Sequence, residues 1–384
     1  MYWVFLYADT FIWQNNNEYL IYNSKNGNWM KGECVGHLKE IINGLCDIIN
    51  LYCINVEDRV CNDDNYVRAF LIELQNKQCG GYKISTSNLI DRPLSFPPVP
   101  NVQSEISRRQ DVLNFEYISY INHVDIYYSK MIDNSQLAYS LDAFMRSKPS
   151  VNVYLSSFGN VEIGLLQDLL KIISANNFHI SLALTYNDFL QNLSFLDEIS
   201  SLIKSICITT NNCTQEMLDF LTDSPFYDRI TITYEISQMD AYKEIVKMRS
   251  QTKSTFPVRY NFMLSDKESA FQLISFEKED VLNRKLSKVA IFRHMLINNN
   301  FFGRLKVKEN GDITSPCKEV VLSNIGREKC WHEASKNECE RSDSEWFLTR
   351  SSADPVCNNC LLNCLCPSLS EIEIKAGVMT PCLP

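Results

Sequence analysis

The sequence predicts an α/β protein built around an open, partial (β/α)6 barrel of the TIM type, with a small module at each end. Apolar, β-branched runs alternate with amphipathic stretches between about residues 115 and 300, which is the pattern of βαβ units and a parallel sheet. About six such units fit there, fewer than the eight of a closed barrel. The alternation is missing before residue 90 and after residue 303.

Residues 1–90 are predicted to form a winged-helix-like module. MYWVFLYADTFIWQNNNEYLIYNSKNGNW indicates two or three strands separated by Asn- and Gly-rich turns. Amphipathic helices are expected at LKEIINGLCDIINLYCI and YVRAFLIELQN, and Gly80 and Gly81 suit a tight turn into a strand. This order resembles the peptide-recognition domain related to the pyrroloquinoline-quinone peptide chaperone. The resemblance implies that a leader peptide is bound by strand addition at a sheet edge.

Four prolines in DRPLSFPPVPNVQSE predict an extended linker over residues 91–110. The partial barrel is then expected over residues 111–302. Its strands are predicted, in order, at YISYINHVDIYYS, VNVYLSS, HISLALT, SICITT, RITITYE and VRYNFML. Function in such a barrel is expected at the carboxyl ends of the strands.

Residues 303–384 are predicted to form a small module stabilised by metal binding. GRLKVKENGDITSPC indicates a hairpin that turns at Asn310-Gly311. The thiols of Cys357, Cys360, Cys366 and Cys382 are the complement that saturates a tetrahedral zinc ion or a [4Fe-4S] cluster. Secondary candidate ligands are Cys317, Cys330 and Cys364. Reduced cysteines in a loop, a set of disulfides, and a zinc ligand at His332 stay open as alternatives.

Charge and composition favour a cytoplasmic protein without nucleic acid or membrane as its main partner. The formal charge is −9, so nucleic-acid binding is not expected beyond a local basic patch. No run approaches the roughly 20 apolar residues of a membrane-spanning helix, and the apolar N-terminus lacks the basic start of a signal peptide. The chain has 15 cysteines, and those before position 320 are scattered singly through apolar segments, as expected of reduced cysteines.

The C-terminal motifs resemble the SPASM domain of radical SAM peptide-modifying enzymes. The matching pieces are GRLKVKENGDITSPC, SNIG, the Cys-x2-Cys-x5-Cys run from Cys357 and the later Cys382. The resemblance implies one auxiliary [4Fe-4S] cluster on Cys357, Cys360, Cys366 and Cys382. A second cluster would use Cys317 and Cys330, but Ser370 stands where the family has a further cysteine.

The segment that should bind SAM departs from that family. Radical SAM enzymes carry Cys-x3-Cys-x2-Cys after the first barrel strand, whereas FEYISYINHVDIYYSKMIDNSQ contains no cysteine. VNVYLSSFGN also lacks the Gly-Gly-Glu expected to hold the amino group of SAM. SAM is therefore not an expected cofactor.

With RPLSFPPVPNVQSE and WFLTR…CNNCLLNCLCPSLSEIE, the chain resembles the pseudo-radical-SAM proteins of Bacteroidales peptide-maturation systems. The resemblance implies a non-catalytic partner of a radical SAM/SPASM maturase, acting on a precursor peptide with a Gly-Gly leader. One alternative is a redox-active enzyme subunit whose cluster passes electrons to the maturase. Another is a free-standing peptide- or metal-binding scaffold.

Overall fold

The structure is a computed structural model that describes residues 1–15, 17–85, 92–93, 95, 117–144, 149–155, 163–175, 178–251, 255–263, 267–378 and 382. It confirms a mixed α/β protein. The main element is a nine-stranded, mostly parallel sheet, and two three-stranded antiparallel sheets precede it in the chain.

The N-terminal elements are β1 (Tyr2–Leu6), β2 (Thr10–Gln14), β3 (Glu18–Asn23), β4 (Trp29–Glu33), α1 (Gly36–Cys46), β5 (Cys53–Val56), α2 (Asp58–Asp63), α3 (Asn65–Asn76) and β6 (Gly80–Ile84). One sheet has the order β5-β1-β6, and the other is the meander β2-β3-β4. Helices α1 and α3 bury their apolar faces in a core that both sheets share.

This region has more strands than predicted, for two local reasons. A turn closed by the Thr10 amide and the Tyr7 carbonyl splits the first apolar run into strands of different sheets. The predicted helix LKEIINGLCDIINLYCI ends at Cys46, and Leu51 and Tyr52 have positive φ angles of 48° and 56°. These residues reverse the chain into β5, a strand that helical periodicity conceals.

The large sheet begins with six parallel strands in sequential order. They are β7 (His123–Tyr128), β8 (Ser150–Leu155), β9 (His179–Thr185), β10 (Ser205–Thr210), β11 (Ile230–Ile236) and β12 (Val258–Phe262). Helices α4 (Asn134–Leu141), α5 (Ile163–Ala175), α6 (Tyr186–Gln191), α7 (Leu193–Glu198), α8 (Gln215–Thr222) and α9 (Met239–Gln251) lie between them in the chain. The alternation in the sequence therefore located all six strands.

Three further strands extend this sheet beyond β7. β13 (Arg304–Val307) pairs parallel with β7, and β14 (Asp312–Thr314) and β15 (Val321–Asn324) follow antiparallel. The predicted hairpin turn is present, with Gly311 at a φ of 82°. The sheet thus continues across the predicted boundary at residue 303.

The remaining helices are α10 (Lys267–Ile274), α11 (Lys278–Leu282), α12 (Lys288–Leu296), α13 (Cys330–Glu340), α14 (Arg350–Ala353), α15 (Pro355–Asn358) and α16 (Glu371–Ala376). Trp331 of α13 and Trp346 are fully buried in the core of the large sheet. Among the helices of the described ranges, none combines the length and the apolarity that crossing a bilayer requires.

A third core joins the two ends of the chain. It contains Phe11, Leu20 and Tyr22 of the meander, the side chains Leu361, Leu362, Leu365 and Cys366, and apolar residues of α11 and α12. The hydroxyl of Tyr22 donates to the Arg284 carbonyl (2.9 Å) and accepts from the Leu286 amide (2.7 Å). The cysteine-bearing loop is therefore anchored on the N-terminal sheet.

Candidate functional site

The cysteine loop is fixed by leucines and by a capped turn. Asp354 accepts a hydrogen bond from the Val356 amide (2.7 Å) and begins α15, which carries the buried Cys357. The Cys360 amide donates to the Cys357 carbonyl (3.1 Å), which forms the tight turn expected of a Cys-x2-Cys pair. The leucines of the third core hold the loop against the meander.

Cys366 and Cys382 are brought into contact, although 15 residues separate them. A hydrogen bond from Cys366, with the positive charge of Arg350, lowers the pKa of Cys382 to about 6. The same contact and burial raise the pKa of Cys366. Cys382 also forms an isolated parallel bridge with Phe276. Cys360 lies near enough to raise the pKa of Cys364 and Cys366 further.

The donor chemistry of this loop suits a metal, but fewer than three of the predicted ligands are gathered at one point among the described residues. Thiolates are the ligands of structural zinc and of iron–sulfur clusters. Within the described ranges, however, no group of three or more His, Cys, Asp or Glu side chains is placed to bind an ion. The Cys366–Cys382 contact supplies two of the four predicted ligands.

A buried ion pair lies next to the cysteine loop. Arg350 and Glu373 are each 4% exposed in their side chains and lie 2.8 Å apart. Arg350 Nε donates to the Pro367 carbonyl (2.6 Å), and its guanidinium lies 5.8 Å from the Phe276 ring centroid. The WFLTR motif thus includes the cation that orders the chain directly after Cys366.

Ser370, at the position where the resemblance would place a cysteine, caps a helix. Its hydroxyl accepts from the Glu373 amide (3.3 Å), and its amide donates to the Glu373 carboxylate (2.7 Å). This reciprocal capping box begins α16. The residue therefore has a structural role at this position.

Cys317 and Cys330 lie in the core of the large sheet, apart from the cysteine loop. The fully buried carboxylate of Glu345 accepts hydrogen bonds from the Cys317 amide (2.6 Å), the Lys318 amide and the Ser315 hydroxyl. Burial and the nearby Glu345 raise the pKa of Cys317 to about 12, and burial raises that of Cys330 to about 11.

The connection after β7 is short. β7 ends at Tyr128 and α4 begins at Asn134, so five residues join them. The Ile132 amide donates to the Ser129 carbonyl (3.2 Å), and Asp133 caps α4 through the Ser135 and Gln136 amides. This connection carries no thiol and is shorter than the eight residues that Cys-x3-Cys-x2-Cys spans.

One face of the large sheet is polar, which the sequence analysis did not recognise. On β7, Val124, Ile126 and Tyr128 enter the helix-covered core, so His123, Asp125 and Tyr127 point to the opposite face. Asn152 and Tyr154 on β8, Cys207 on β10 and Thr233 on β11 continue this face. The sequence does carry a signal for this face: polar and aromatic residues recur at every second position of the apolar strands.

A buried carboxylate network lies near the amino ends of β7, β8 and β13. Asp125 is 2% exposed and contacts His123 Nε2 (3.0 Å), Asn152 Nδ2 (2.8 Å) and an Arg304 guanidinium nitrogen (3.2 Å). Burial raises the pKa of Asp125, but His123 above all, with Arg304 and Asn152, outweighs burial and lowers this pKa to about 2. Asp125 is therefore held ionised.

Aromatic rings continue this polar face. Tyr127 stacks on Tyr154 with centroids 4.9 Å apart, and the Lys308 ammonium lies 5.6 Å from the Tyr127 ring. Tyr128 belongs to the core of the large sheet, whereas Tyr127 does not. A separate cavity of about 440 Å³ at the carboxyl ends of β9, β10 and β11 is lined by Thr185, Thr209, Asn212 and Glu235.

No protein-family model matches the chain, and the comparison with curated proteins gives no match either.

Proposed function

We propose that this protein is a non-catalytic partner of a radical SAM/SPASM maturase and that it binds the maturase, the leader of the precursor peptide, or both. In this proposal, the six parallel strands form a partial barrel, and residues 1–90 form a winged-helix-like recognition module. The observation that carries the proposal is the five-residue connection after β7, which has no thiol. It leaves the parallel scaffold without the cluster loop that SAM cleavage requires.

The metal centre remains a prediction. The cysteine loop offers four thiols in one small region, and Cys366 and Cys382 already touch. A zinc ion or a [4Fe-4S] cluster bound by Cys357, Cys360, Cys366 and Cys382 would supply structural stabilisation. Iron with a measurable reduction potential would instead favour the alternative in which the protein passes electrons to the maturase.

We expect the purified full-length chain to leave SAM intact. The test is anaerobic purification with iron and zinc analysis, followed by a dithionite-reduced assay for 5′-deoxyadenosine with and without a candidate radical SAM/SPASM enzyme. The proposal requires that the enzyme co-purify with the chain and that SAM be cleaved only when the enzyme is present. Cleavage by the isolated chain would refute the proposal, as would the absence of any stable complex with either enzyme or precursor.

The edge of β4 is the proposed binding site for the leader. The Asn23 amide donates to the Asn28 carbonyl and the Cys34 amide to the Asn17 carbonyl, so alternation directs the main-chain groups of Trp29, Lys31 and Glu33 away from β3. Neighbouring elements lie against the other edge strands of these two sheets: α1 contacts β2 and α3 contacts β6, and Arg92 binds the carbonyls of Asn50 and Cys53 beside β5.

Lys31→Pro is expected to weaken leader binding about tenfold or more while the meander stays folded. Proline removes an outward amide that an added strand would use, and edge strands tolerate it there. Binding of a fluorescent synthetic leader is measured by anisotropy. Lys31→Ala is the matched control, because it also removes the exposed ion pair with Glu18 (2.8 Å) but keeps the amide. Equal affinities of the two variants would exclude this edge.

A further inference from the structure

Basic residues are concentrated in one stretch of an otherwise acidic chain. Residues 281–308 contain seven Lys and Arg residues and no Asp or Glu. The whole chain has 37 basic and 46 acidic residues, so the remainder has a formal charge of −16. Helix formation does not require this clustering of positive charge, because pairs of opposite charge stabilise helix surfaces.

The seven basic residues divide into two groups by their partners. Arg304 pairs with Asp125, and Lys306 and Lys308 pair with Glu319. The other four are Arg284, Lys285, Lys288 and Arg293, which lie within ten residues of the chain and form no ion pair within its described part; we call them the basic surface. Arg284, Lys285 and Arg293 are exposed, and Lys288 is half-buried.

The segment that carries the basic surface is fixed by three contacts with other parts of the chain. Tyr22 of the meander binds the main chain of Arg284 and Leu286. Phe292 of α12 packs edge-on against Phe11 with centroids 5.6 Å apart. His294 Nδ1 contacts the Cys364 carbonyl at 3.1 Å. These like charges are therefore presented by an ordered segment, which lowers the entropic cost of binding a partner.

A cavity of about 290 Å³ opens beside the basic surface. Arg293 and Arg304 both line it, together with the amide side chains of Asn122 and Asn299. Arg304 Nε is buried and has no hydrogen-bond partner within the described residues. Val289, which is 64% exposed, and Phe302 contribute apolar wall. The cavity thus combines guanidinium donors with apolar contact area.

We infer that the basic surface docks an acidic segment of a protein partner, with a carboxylate seated between Arg293 and Arg304. Planar guanidinium groups match carboxylates in charge and geometry. The apolar wall favours a polypeptide over a polyphosphate. A DNA duplex carries one negative charge per about 1.7 Å of its axis, so the charge of −16 on the rest of the chain repels a duplex more strongly than it repels a short acidic peptide. The inference does not depend on the partner being a radical SAM enzyme.

The test uses the full-length protein and a fluorescein-labelled decaglutamate peptide at about 50 mM salt, where screening is modest. Lys288→Glu/Arg293→Glu is expected to weaken binding by about tenfold or more. Lys130→Glu/Lys247→Glu makes the same change in net charge at exposed lysines outside the basic surface and is expected to stay within about twofold of the parent. Circular dichroism and thermal unfolding verify that both variants fold; Lys288→Glu is favourable in the first turn of α12.

Three results would overturn the inference. The first is no peptide binding, or an equal loss in both double variants. The second is tighter binding of a DNA duplex of similar charge with the same dependence on Lys288 and Arg293, which would assign the surface to nucleic acid. The third is concentration-dependent self-association that only Lys288→Glu/Arg293→Glu abolishes, which would make a second copy of the chain the occupant.

Discussion

Arg350→Met is expected to destabilise the protein by about 3 to 5 kcal/mol, because it leaves the carboxylate of Glu373 buried without its cation. The ion pair is nearly solvent-free, and Arg350 also binds the Pro367 carbonyl beside Cys366. Urea unfolding followed by tryptophan fluorescence measures the loss, since Trp346 is fully buried.

Two further variants make this measurement specific. Lys375→Met removes an exposed ion pair with Glu371 in the same region and should cost less than about 1 kcal/mol. Adding Glu373→Gln to Arg350→Met neutralises the stranded carboxylate and should restore part of the stability. If Arg350→Met were no more harmful than Lys375→Met, Arg350 would not stabilise the loop as described.

Asp125→Asn is expected to cost about 2 kcal/mol or more at neutral pH. The pKa of Asp125 is lowered from 3.8 to about 2, and each unit corresponds to about 1.4 kcal/mol. Because the folded-state pKa is the lower one, this stabilisation is fully present above about pH 4 and is lost as the pH falls toward 2. An amide would also present donors to Arg304 and Asn152.

The pH dependence is the decisive readout for Asp125. The free energy of unfolding of the parent should fall more steeply between about pH 4 and 2 than that of Asp125→Asn, so the two curves converge on the acid side. Asp228→Asn, at an exposed position, is the matched control for the chemical change from a carboxyl to an amide. Parallel curves for Asp125→Asn would contradict an ionised, hydrogen-bonded Asp125.

The elements that the sequence predicted well are those with strong local periodicity. All six parallel strands and the Gly311 hairpin follow from β-branched runs and turn residues. β5 was missed because it follows α1 through a left-handed turn at Leu51 and Tyr52, two residues that seldom adopt that conformation. The spacing of apolar residues along the sequence does not show that the chain reverses there.

The candidate site was harder to predict, because tertiary contacts create it. The spacing of Cys357, Cys360 and Cys366 was visible, but nothing local showed that Cys382 returns to Cys366. Likewise, two of the three partners of Asp125 come from β8 and from β13, which lies about 180 residues later. Alternation along β7 indicates a second face, but pairing order decides which side chains meet there.

The meander and the cysteine loop share one apolar cluster, so the stability of each depends on the other. Deleting either terminus would strip the other of its hydrophobic cover, so neither should survive as an isolated fragment. If the leader binds the meander as proposed and a ligand of the cysteine loop changes its affinity, thermodynamic reciprocity requires that the leader change the affinity of the loop for that ligand by the same factor.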